Sequence, residues 1–288
     1  MMKKTGILTD SHSGITQEEA KKLGIYVLPM PFYINDQCHY EGKDISREEF
    51  IELLKNDENV STSQPSPEAV MNLWDEILKE YEELVYIPIS SGLSGSCSTA
   101  MAMAQNDDYD GKVFVVDNGR VSTPMKQSVL DAIELLNEGC SAKEIKNRLE
   151  DAKGKMGIFV AVDDLKYLKK GGRISSSVAL VGGMLKVKPI LKFDIGTLDS
   201  FKNCRGLIKA KTVMIEEVKR IVTTDYAEDF EKGNVHILAA SSADEEETKK
   251  WVNEIQEAFP GIKVLWDYLP MGITCHIGPG GLGIGYSV

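Results

Sequence analysis

The chain has 288 residues, of which 42% are hydrophobic and 27% are charged, and its formal net charge is −11. This composition is typical of a globular protein with one large or two ordinary domains, and the acidic balance argues against a surface for nucleic acid or anionic membranes. Five scattered cysteines without a C-x-x-C pair fit neither a disulfide framework nor a zinc site, which favours a reducing, cytoplasmic compartment. We also expect no signal peptide and no transmembrane segment, because no window approaches the ~20 apolar residues of a membrane span.

The first 155 residues alternate between strand and helix patterns. Strands are predicted at residues 5–9, 25–28, 32–34, 84–89 and 112–116. Helices are predicted at residues 17–23, 47–54, 67–81, 96–104, 123–137 and 141–153. Four of these helices have capping residues at their starts: Thr16, Ser46, Ser66 and Ser141. This alternation predicts a parallel sheet with helices on both faces.

The pattern changes near residue 156. Strands are predicted at residues 157–162, 188–193, 197–203, 235–240 and 263–268, of which the second and third are an antiparallel pair. Helices are predicted at 164–169, from 207 to about 230, and at 244–258. Residues 177–185 are apolar, and residues 273–288 are predicted to form a turn and a final strand.

We therefore predict two domains. Residues 1–155 form an N-terminal α/β/α domain with a parallel sheet, and residues 156–288 form a C-terminal α+β domain with a mixed or antiparallel sheet. Residues 60–80 are a candidate to pack with the second domain. Polar clusters fall in four predicted loops, at residues 10–14, 61–66, 90–96 and 274–281.

The segment around residues 90–96, which we call the serine turn, follows an apolar strand and precedes a helix of small residues. This order directs backbone N–H groups and hydroxyls at a point just beyond a strand's carboxyl end. The turn could therefore hold an anion or expose a nucleophile. Capping of the following helix would by itself explain Ser91 and Ser96. A third hydroxyl, that of Ser94, is more than a cap needs, so Ser94 is the better functional candidate.

A serine hydrolase or acyltransferase is the alternative function. Residues 92–96 approach the G-x-S-x-G nucleophile elbow around Ser94, but Ser96 replaces the final glycine. His276 lies downstream, as the hydrolase order requires, although no local pattern marks an acid partner. His276 could equally be a structural histidine, and its glycine-rich surroundings are not a P-loop because no Gly-Lys-Ser/Thr follows.

Two further segments carry candidate groups. Ser66 already caps the helix that follows it, which leaves Thr62 and Ser63 without an evident structural role. Residues 166–192 hold seven cations and no acid, which is either a solvated face or a docking surface for an acidic or phosphate-bearing partner. These cations are Lys166, Lys169, Lys170, Arg173, Lys186, Lys188 and Lys192.

In combination these segments resemble the DegV family of bacterial fatty-acid-binding proteins, of the type that presents fatty acids to a fatty acid kinase. The matching pieces are ILTDSHSGI at 7–15, TSQPSP at 62–67, SSGLSGS at 90–96, VDN at 116–118, LKYLKKGGRIS at 165–175, LKVKPIL at 185–191 and HIGPGGLGIGY at 276–286. One departure is the Asp-Ser-His-Ser of the first loop, where the family often has Asp-Ser-Thr or Asp-Ser-Ala.

The resemblance implies a fatty acid in a tunnel between the two domains, with its carboxyl group held by Thr62 and Ser94 and with His276 close by. Further ligand-binding candidates are Ser63, Ser91, Gly92, Gly95 and Gly278. Arg173, with Lys169 and Lys170, would meet a kinase related to dihydroxyacetone kinases, and that partner would supply ATP and metal for acyl-phosphate formation. The chain itself would be a lipid carrier in phospholipid metabolism, without catalytic residues, cofactor or metal site.

Overall fold

The computed structural model describes residues 3–173, 187–196 and 198–288. They belong to two compact units. The first unit comprises Met1–Ser46 and Asn59–Gly154, and the second comprises Arg47–Glu58 and Lys155–Val288. The apolar stretch predicted at residues 177–185 lies outside the described residues.

The first unit contains a parallel sheet and a smaller antiparallel sheet. Its strands are β1 (Lys3–Asp10), β2 (Tyr26–Leu28), β3 (Pro31–Ile34), β4 (Gln37–Tyr40), β5 (Val60–Thr62), β6 (Tyr81–Ile87) and β7 (Val113–Val115). Its helices are α1 (Gln17–Leu23), α3 (Pro67–Leu78), α4 (Ser96–Met103), α5 (Ser122–Asn137) and α6 (Ala142–Asp151). The predicted caps at Thr16, Ser66 and Ser141 are confirmed, because each side chain accepts a hydrogen bond from a first-turn N–H group.

Four strands form the parallel sheet in the order β2-β1-β6-β7. Neighbouring residues along a strand point to opposite faces, so Ile7 and Val85 pack with α1, α5 and α6. Leu8 and Leu84 pack on the other face with α3 and α4. The predicted α/β/α arrangement with a parallel sheet is confirmed.

The smaller sheet has the order β4-β3-β5 and is antiparallel. Thr62 on β5 is paired with Phe32 on β3, and α3 packs against β6. The segment 60–80 therefore lies in the first unit, and its packing with the second domain remains a prediction. Local pairing with β3, which the sequence pattern did not show, decides its place.

The second unit contains a six-stranded sheet. Its strands are β8 (Met156–Ala161), β9 (Val187–Phe193), β10 (Leu198–Arg205), β11 (His236–Ser241), β12 (Leu265–Tyr268) and β13 (Leu282–Ser287). Its helices are α2 (Arg47–Lys55), α7 (Lys166–Gly171), α8 (Leu207–Thr224), α9 (Ala227–Lys232), α10 (Glu245–Ala258) and α11 (Met271–Ile277).

The sheet order is β10-β9-β8-β13-β11-β12, in which β11 and β12 are parallel and the other pairs are antiparallel. Phe159, Ile237 and Ile284 on its central strands pack with α8 and α10. The buried Trp251 of α10 donates its indole N–H to the carbonyl of Gly283 at 2.9 Å. The predicted mixed sheet and the antiparallel β9–β10 pair are confirmed, whereas the predicted ligand tunnel remains a prediction.

Helix α2 belongs to the second unit, whereas the sequence prediction assigned it to the first. Arg47 donates to the carbonyl of Ala243 at 2.5 Å, and its guanidinium lies 3.8 Å from the ring centre of Tyr268. The hydroxyl of Tyr167 donates to the carbonyl of Leu54 at 3.0 Å. These partners lie more than 100 residues away in sequence, so local patterns could not reveal them.

One predicted helix end and one predicted turn are wrong. The helix predicted from residue 207 to about 230 ends at Thr224, where Thr223 and Thr224 bond back to the carbonyls of Lys219 and Arg220, both at 2.8 Å. Such side-chain bonds compete with a regular helix. The predicted turn after residue 273 is instead the end of α11, which forms despite an internal glycine because most of its side chains are buried.

Candidate functional site

The candidate site in the first unit lies where the strand order reverses. Strand β1 has β2 on one side and β6 on the other, so the loops after β1 and β6 lead to opposite sides. Ligands of open parallel sheets bind beyond the carboxyl ends of the strands at such a switch point. The loop at residues 10–14 and the serine turn both begin there.

Asp10 joins these two loops. Its carboxylate is fully buried and accepts hydrogen bonds from the backbone N–H of His12 at 2.9 Å and of Ile89 at 2.8 Å. A buried carboxylate is tolerated only with such partners. Asp10 was not predicted as a site residue, although an acid directly after an apolar strand was a usable signal.

The serine turn is folded around the backbone of Ser90. The Ser90 carbonyl accepts from the N–H groups of Leu93 at 3.0 Å and Ser94 at 3.2 Å. The half-buried Ser94 hydroxyl lies 3.0 Å from the Ser96 hydroxyl and accepts from the Ser96 N–H at 3.3 Å. Gly92 is exposed. Ser94 is thus held by local bonds while its side chain retains some accessibility.

Ser91 is anchored to a neighbouring loop. Its hydroxyl donates to Asp117 at 2.6 Å, and Lys153 contacts the same carboxylate oxygen at 2.7 Å. Burial raises the pKa of Asp117, but hydrogen bonds from Lys153 and Ser91 outweigh it, so the pKa is lowered from its ordinary value of 3.8. Because the one hydrogen of Ser91 points to Asp117, Ser91 is a weaker candidate for donating to a ligand than Ser94.

Helix α4 starts at the end of the serine turn without a side-chain cap. Gly95 occupies the cap position and provides no side-chain hydrogen bond. Helix N-termini present N–H groups and a partial positive charge, so this end is suited to an anion. Burial raises the pKa of the neighbouring Cys97 to about 12, which makes a thiolate nucleophile at this place unfavourable.

The segment that contains Thr62 and Ser63 contacts the serine turn at Gln64. A Cβ atom at Gly95 would lie 3.2 Å from the Gln64 side-chain oxygen, and the Thr99 hydroxyl is 3.5 Å from the same oxygen. Ser63 is exposed and donates its hydroxyl to the Gln64 carbonyl at 3.1 Å. The structure thus brings the two predicted hydroxyl segments into contact. Gln64 was missed, although it stands inside the TSQPSP segment.

His276 lies in the last turn of α11 in the second unit and is half-buried. The following Gly278 is buried, and its N–H donates to the carbonyl of Thr274 at 2.8 Å. Its own carbonyl accepts from the Ser242 hydroxyl at 2.6 Å. Gly278 therefore uses its N–H within the fold and is a weak candidate for binding a ligand.

The basic stretch is less positive than its sequence suggests. Three of its lysines form ion pairs at 2.5–3.0 Å with acids that lie outside residues 166–192: Lys166 with Asp57, Lys188 with Asp163, and Lys192 with Asp194. Lys186 lies outside the described residues. Neighbouring acids therefore neutralise part of the positive charge that the sequence predicts for residues 166–192.

The residues predicted to dock a partner lie at and just beyond the end of α7. Lys169 and Lys170 are exposed in its last turn. Arg173 is half-buried, and its guanidinium donates to the carbonyl of Gly171 at 2.6 Å. The two lysines present their charge outward, whereas Arg173 stabilises the turn that carries them.

The geometry gives the hydrolase alternative no support. A nucleophile elbow holds its serine in a strained turn, but the non-glycine residues with positive φ among those described are Asn35, Asp36, Asp57 and Ser122. Ser94 therefore lacks the left-handed backbone of an elbow. Within residues 3–173, 187–196 and 198–288, no cluster of three or more His, Cys, Asp or Glu is placed to hold a metal ion. No helix in the same ranges combines the length and apolar character needed to cross a membrane.

Known proteins share this architecture along the whole chain. The crystal structure of DegV from Bacillus subtilis, a fatty acid binding protein, has a TM-score of 0.83 and 30% identity, and covers 99% of both chains. A DegV family protein from Thermus thermophilus, described as binding fatty acid, has a TM-score of 0.87 and 27% identity, again over 99% of both chains. The fold thus defines a class of two-unit proteins whose relatives bind fatty acids.

The sequence comparison identifies the family. Residues 4–288 match the family model described as "Uncharacterised protein, DegV family". Protein DegV of Bacillus subtilis is 32% identical over 287 residues, which cover 96% of this chain and 97% of that protein. The chain belongs to the DegV family, as the sequence resemblance indicated.

Proposed function

We propose that this chain is a cytoplasmic carrier that binds a long-chain fatty acid, with Thr62 and Ser94 donating hydrogen bonds to the carboxyl group. The observation that carries the proposal is the contact between the Thr62 segment and the serine turn at the switch point of the parallel sheet. Membership of a family whose relatives bind fatty acids supports a fatty acid as the ligand of this polar site. His276 is the third proposed ligand residue.

The division of labour between tail and head group follows from their energies. Burying about 15 methylene groups at ~0.8 kcal/mol each gives about 12 kcal/mol before ordering costs. Two hydrogen bonds to a charged carboxylate add ~1.5–3 kcal/mol each. The tail therefore supplies most of the affinity, and the hydroxyls fix the depth and orientation of the carboxyl group.

The proposal extends to presentation of the carboxyl group to a fatty acid kinase of the dihydroxyacetone-kinase-like type, which forms the acyl-phosphate. Hydroxyl groups suit this role because they place a carboxylate without the ion pair that would reduce its nucleophilicity. Lys169, Lys170 and Arg173 are the proposed docking residues. In this scheme the chain is not the catalyst, and its only ligand is the fatty acid.

Mass spectrometry of an organic extract of the purified protein tests the binding proposal. The expected result is a long-chain fatty acid at about one equivalent, and rebinding of that acid to delipidated protein. Absence of both extracted and rebound fatty acid would overturn the proposal. A fluorophosphonate probe provides the check on the alternative, since specific labelling of Ser94 would favour a hydrolase.

A further inference from the structure

The two adjacent glycines at the end of α7 serve different physical purposes. Gly172 has φ +67, in the left-handed region, and a Cβ atom there would meet no atom of the described residues within 4 Å. Gly171 is still within the helix, but a Cβ atom there would lie 1.9 Å from Nδ1 and 2.7 Å from Cε1 of His276. Glycine is therefore favoured at position 172 by the left-handed backbone. Glycine is needed at position 171 because any side chain there would overlap the imidazole of His276.

A second contact between the same two helices complements the first. A Cβ atom at Gly278 would lie 2.2 Å from Cδ2 of the Tyr167 ring. Tyr167 and Gly171 are four residues apart and hence on one face of α7. The Tyr167 hydroxyl is fixed by its hydrogen bond to the Leu54 carbonyl at 3.0 Å. This face of α7 thus packs against α11 both at His276 and two residues beyond it.

The turn that contacts His276 also carries the proposed docking residues. Lys169 and Lys170 directly precede Gly171 within α7, and Arg173 donates to the Gly171 carbonyl at 2.6 Å. Because a single carbon atom added at Gly171 would overlap the imidazole, we expect a displacement of this turn toward α11 to move the imidazole as well. The helix turn that carries the docking residues therefore packs directly against His276.

We propose that Tyr167 and Gly171 are positioning residues that hold the His276 imidazole, and that they link the docking turn to the residue that handles the fatty acid carboxyl group. The link to the carboxyl group rests on the proposed function. The packing of His276 against α7 rests on the contacts alone. A partner that binds Lys169 and Lys170 would then stabilise one orientation of the imidazole through the turn that carries these lysines.

Gly171→Ala tests the proposal, with Gly172→Asn as the matched control in the same turn, because asparagine tolerates the left-handed backbone of Gly172. In protein labelled with nitrogen-15, Gly171→Ala should move the imidazole resonances of His276, while Gly172→Asn should leave them at the wild-type shifts. With the kinase present, Gly171→Ala should lower kcat for acyl-phosphate formation about tenfold or more, because small displacements of a reacting group are costly. The fatty acid Kd should change less than about threefold, since the tail supplies most of the affinity.

Unmoved His276 resonances in Gly171→Ala, or equal shifts in both glycine variants, would overturn the positioning proposal. If Gly171→Ala does not fold, Tyr167→Leu provides the second test, because it removes the ring that packs at Gly278 without adding atoms beside His276. It should shift the same resonances, and an unchanged spectrum would again overturn the proposal. A wild-type protein that binds no fatty acid would refute the proposed function instead, while the resonance shifts would still test the packing.

Discussion

Replacement of Asp10 should weaken the first unit at the place where the candidate site is built. Asp10→Ala removes the buried acceptor of two backbone N–H groups, those of His12 and Ile89. Each buried donor left without a partner costs about 1–3 kcal/mol, so the free energy of unfolding should fall by about 2–6 kcal/mol. Asp10→Asn keeps one acceptor oxygen but turns an amide N–H₂ toward the other donor, and should cost about half as much.

Urea unfolding can isolate this effect in the first unit. The chain has three tryptophans, of which Trp74 lies in the first unit, fully buried and in edge contact with Tyr86 and Tyr109. With Trp251 and Trp266 replaced by Phe, Trp74 fluorescence reports the first unit alone. A lowered midpoint with an unchanged slope is expected. A change below about 0.5 kcal/mol in Asp10→Ala would contradict this prediction, because it would mean that the two N–H groups find other partners.

Three further predictions concern the head-group site, the docking group and the pH dependence of the first unit. Thr62→Ala combined with Ser94→Ala should lower the rate of acyl-phosphate formation at least about tenfold, and more than it lowers fatty acid affinity measured by calorimetry; equal losses would mean that the head group carries the binding energy. Arg173→Ala should leave fatty acid affinity unchanged and weaken kinase coupling in the same assays, and a loss of affinity would place Arg173 at the ligand instead. The lowered pKa of Asp117 stabilises the folded state above the ordinary pKa of 3.8, and this contribution is lost as the pH falls through the folded-state value. Unfolding followed from about pH 6 to about pH 3 should therefore be less acid-sensitive in Asp117→Asn, and an identical pH profile would contradict this account of the Ser91 contact.

Local chemistry was sufficient to predict much of the secondary structure. Ser66 before Pro67 starts α3 as expected, because the hydroxyl caps the first turn and proline needs no N–H partner there. Ser141 and Glu144 form the predicted reciprocal capping box. These signals act within four residues and do not depend on the rest of the fold.

Features decided by distant contacts were not predictable in this way. Helix α2 has an ordinary amphipathic sequence, and its place in the second unit depends on contacts such as that of Arg47 with Ala243. Helix α11 contains Gly272, which disfavours a helix locally, and forms because Met271 and Ile277 are buried. Local propensity is a weak guide where tertiary packing supplies most of the stability.

In the candidate site, too, features set by local chemistry were predicted and features set by distant contacts were not. The serine turn and Thr62 were identified from hydroxyls in excess of capping needs, and the contact of Gln64 with Gly95, which joins their two segments, is a consequence of the fold. Asp10 was missed because its role depends on pairing β1 beside β6. The purpose of Gly171 was also hidden, since its partner His276 follows 105 residues later.

The carbon-13 NMR signal of a fatty acid labelled at its carboxyl carbon tests directly whether Thr62 and Ser94 bind the carboxyl group. Bound to the wild-type protein, the acid should give one resonance distinct from that of free acid in detergent or vesicles. That resonance should move in Thr62→Ala and in Ser94→Ala, and should stay in place in Ser63→Ala, the neighbouring exposed hydroxyl control. Absence of a bound resonance, or a bound resonance that stays in place in Thr62→Ala and in Ser94→Ala, would contradict the proposed binding of the carboxyl group by these two residues.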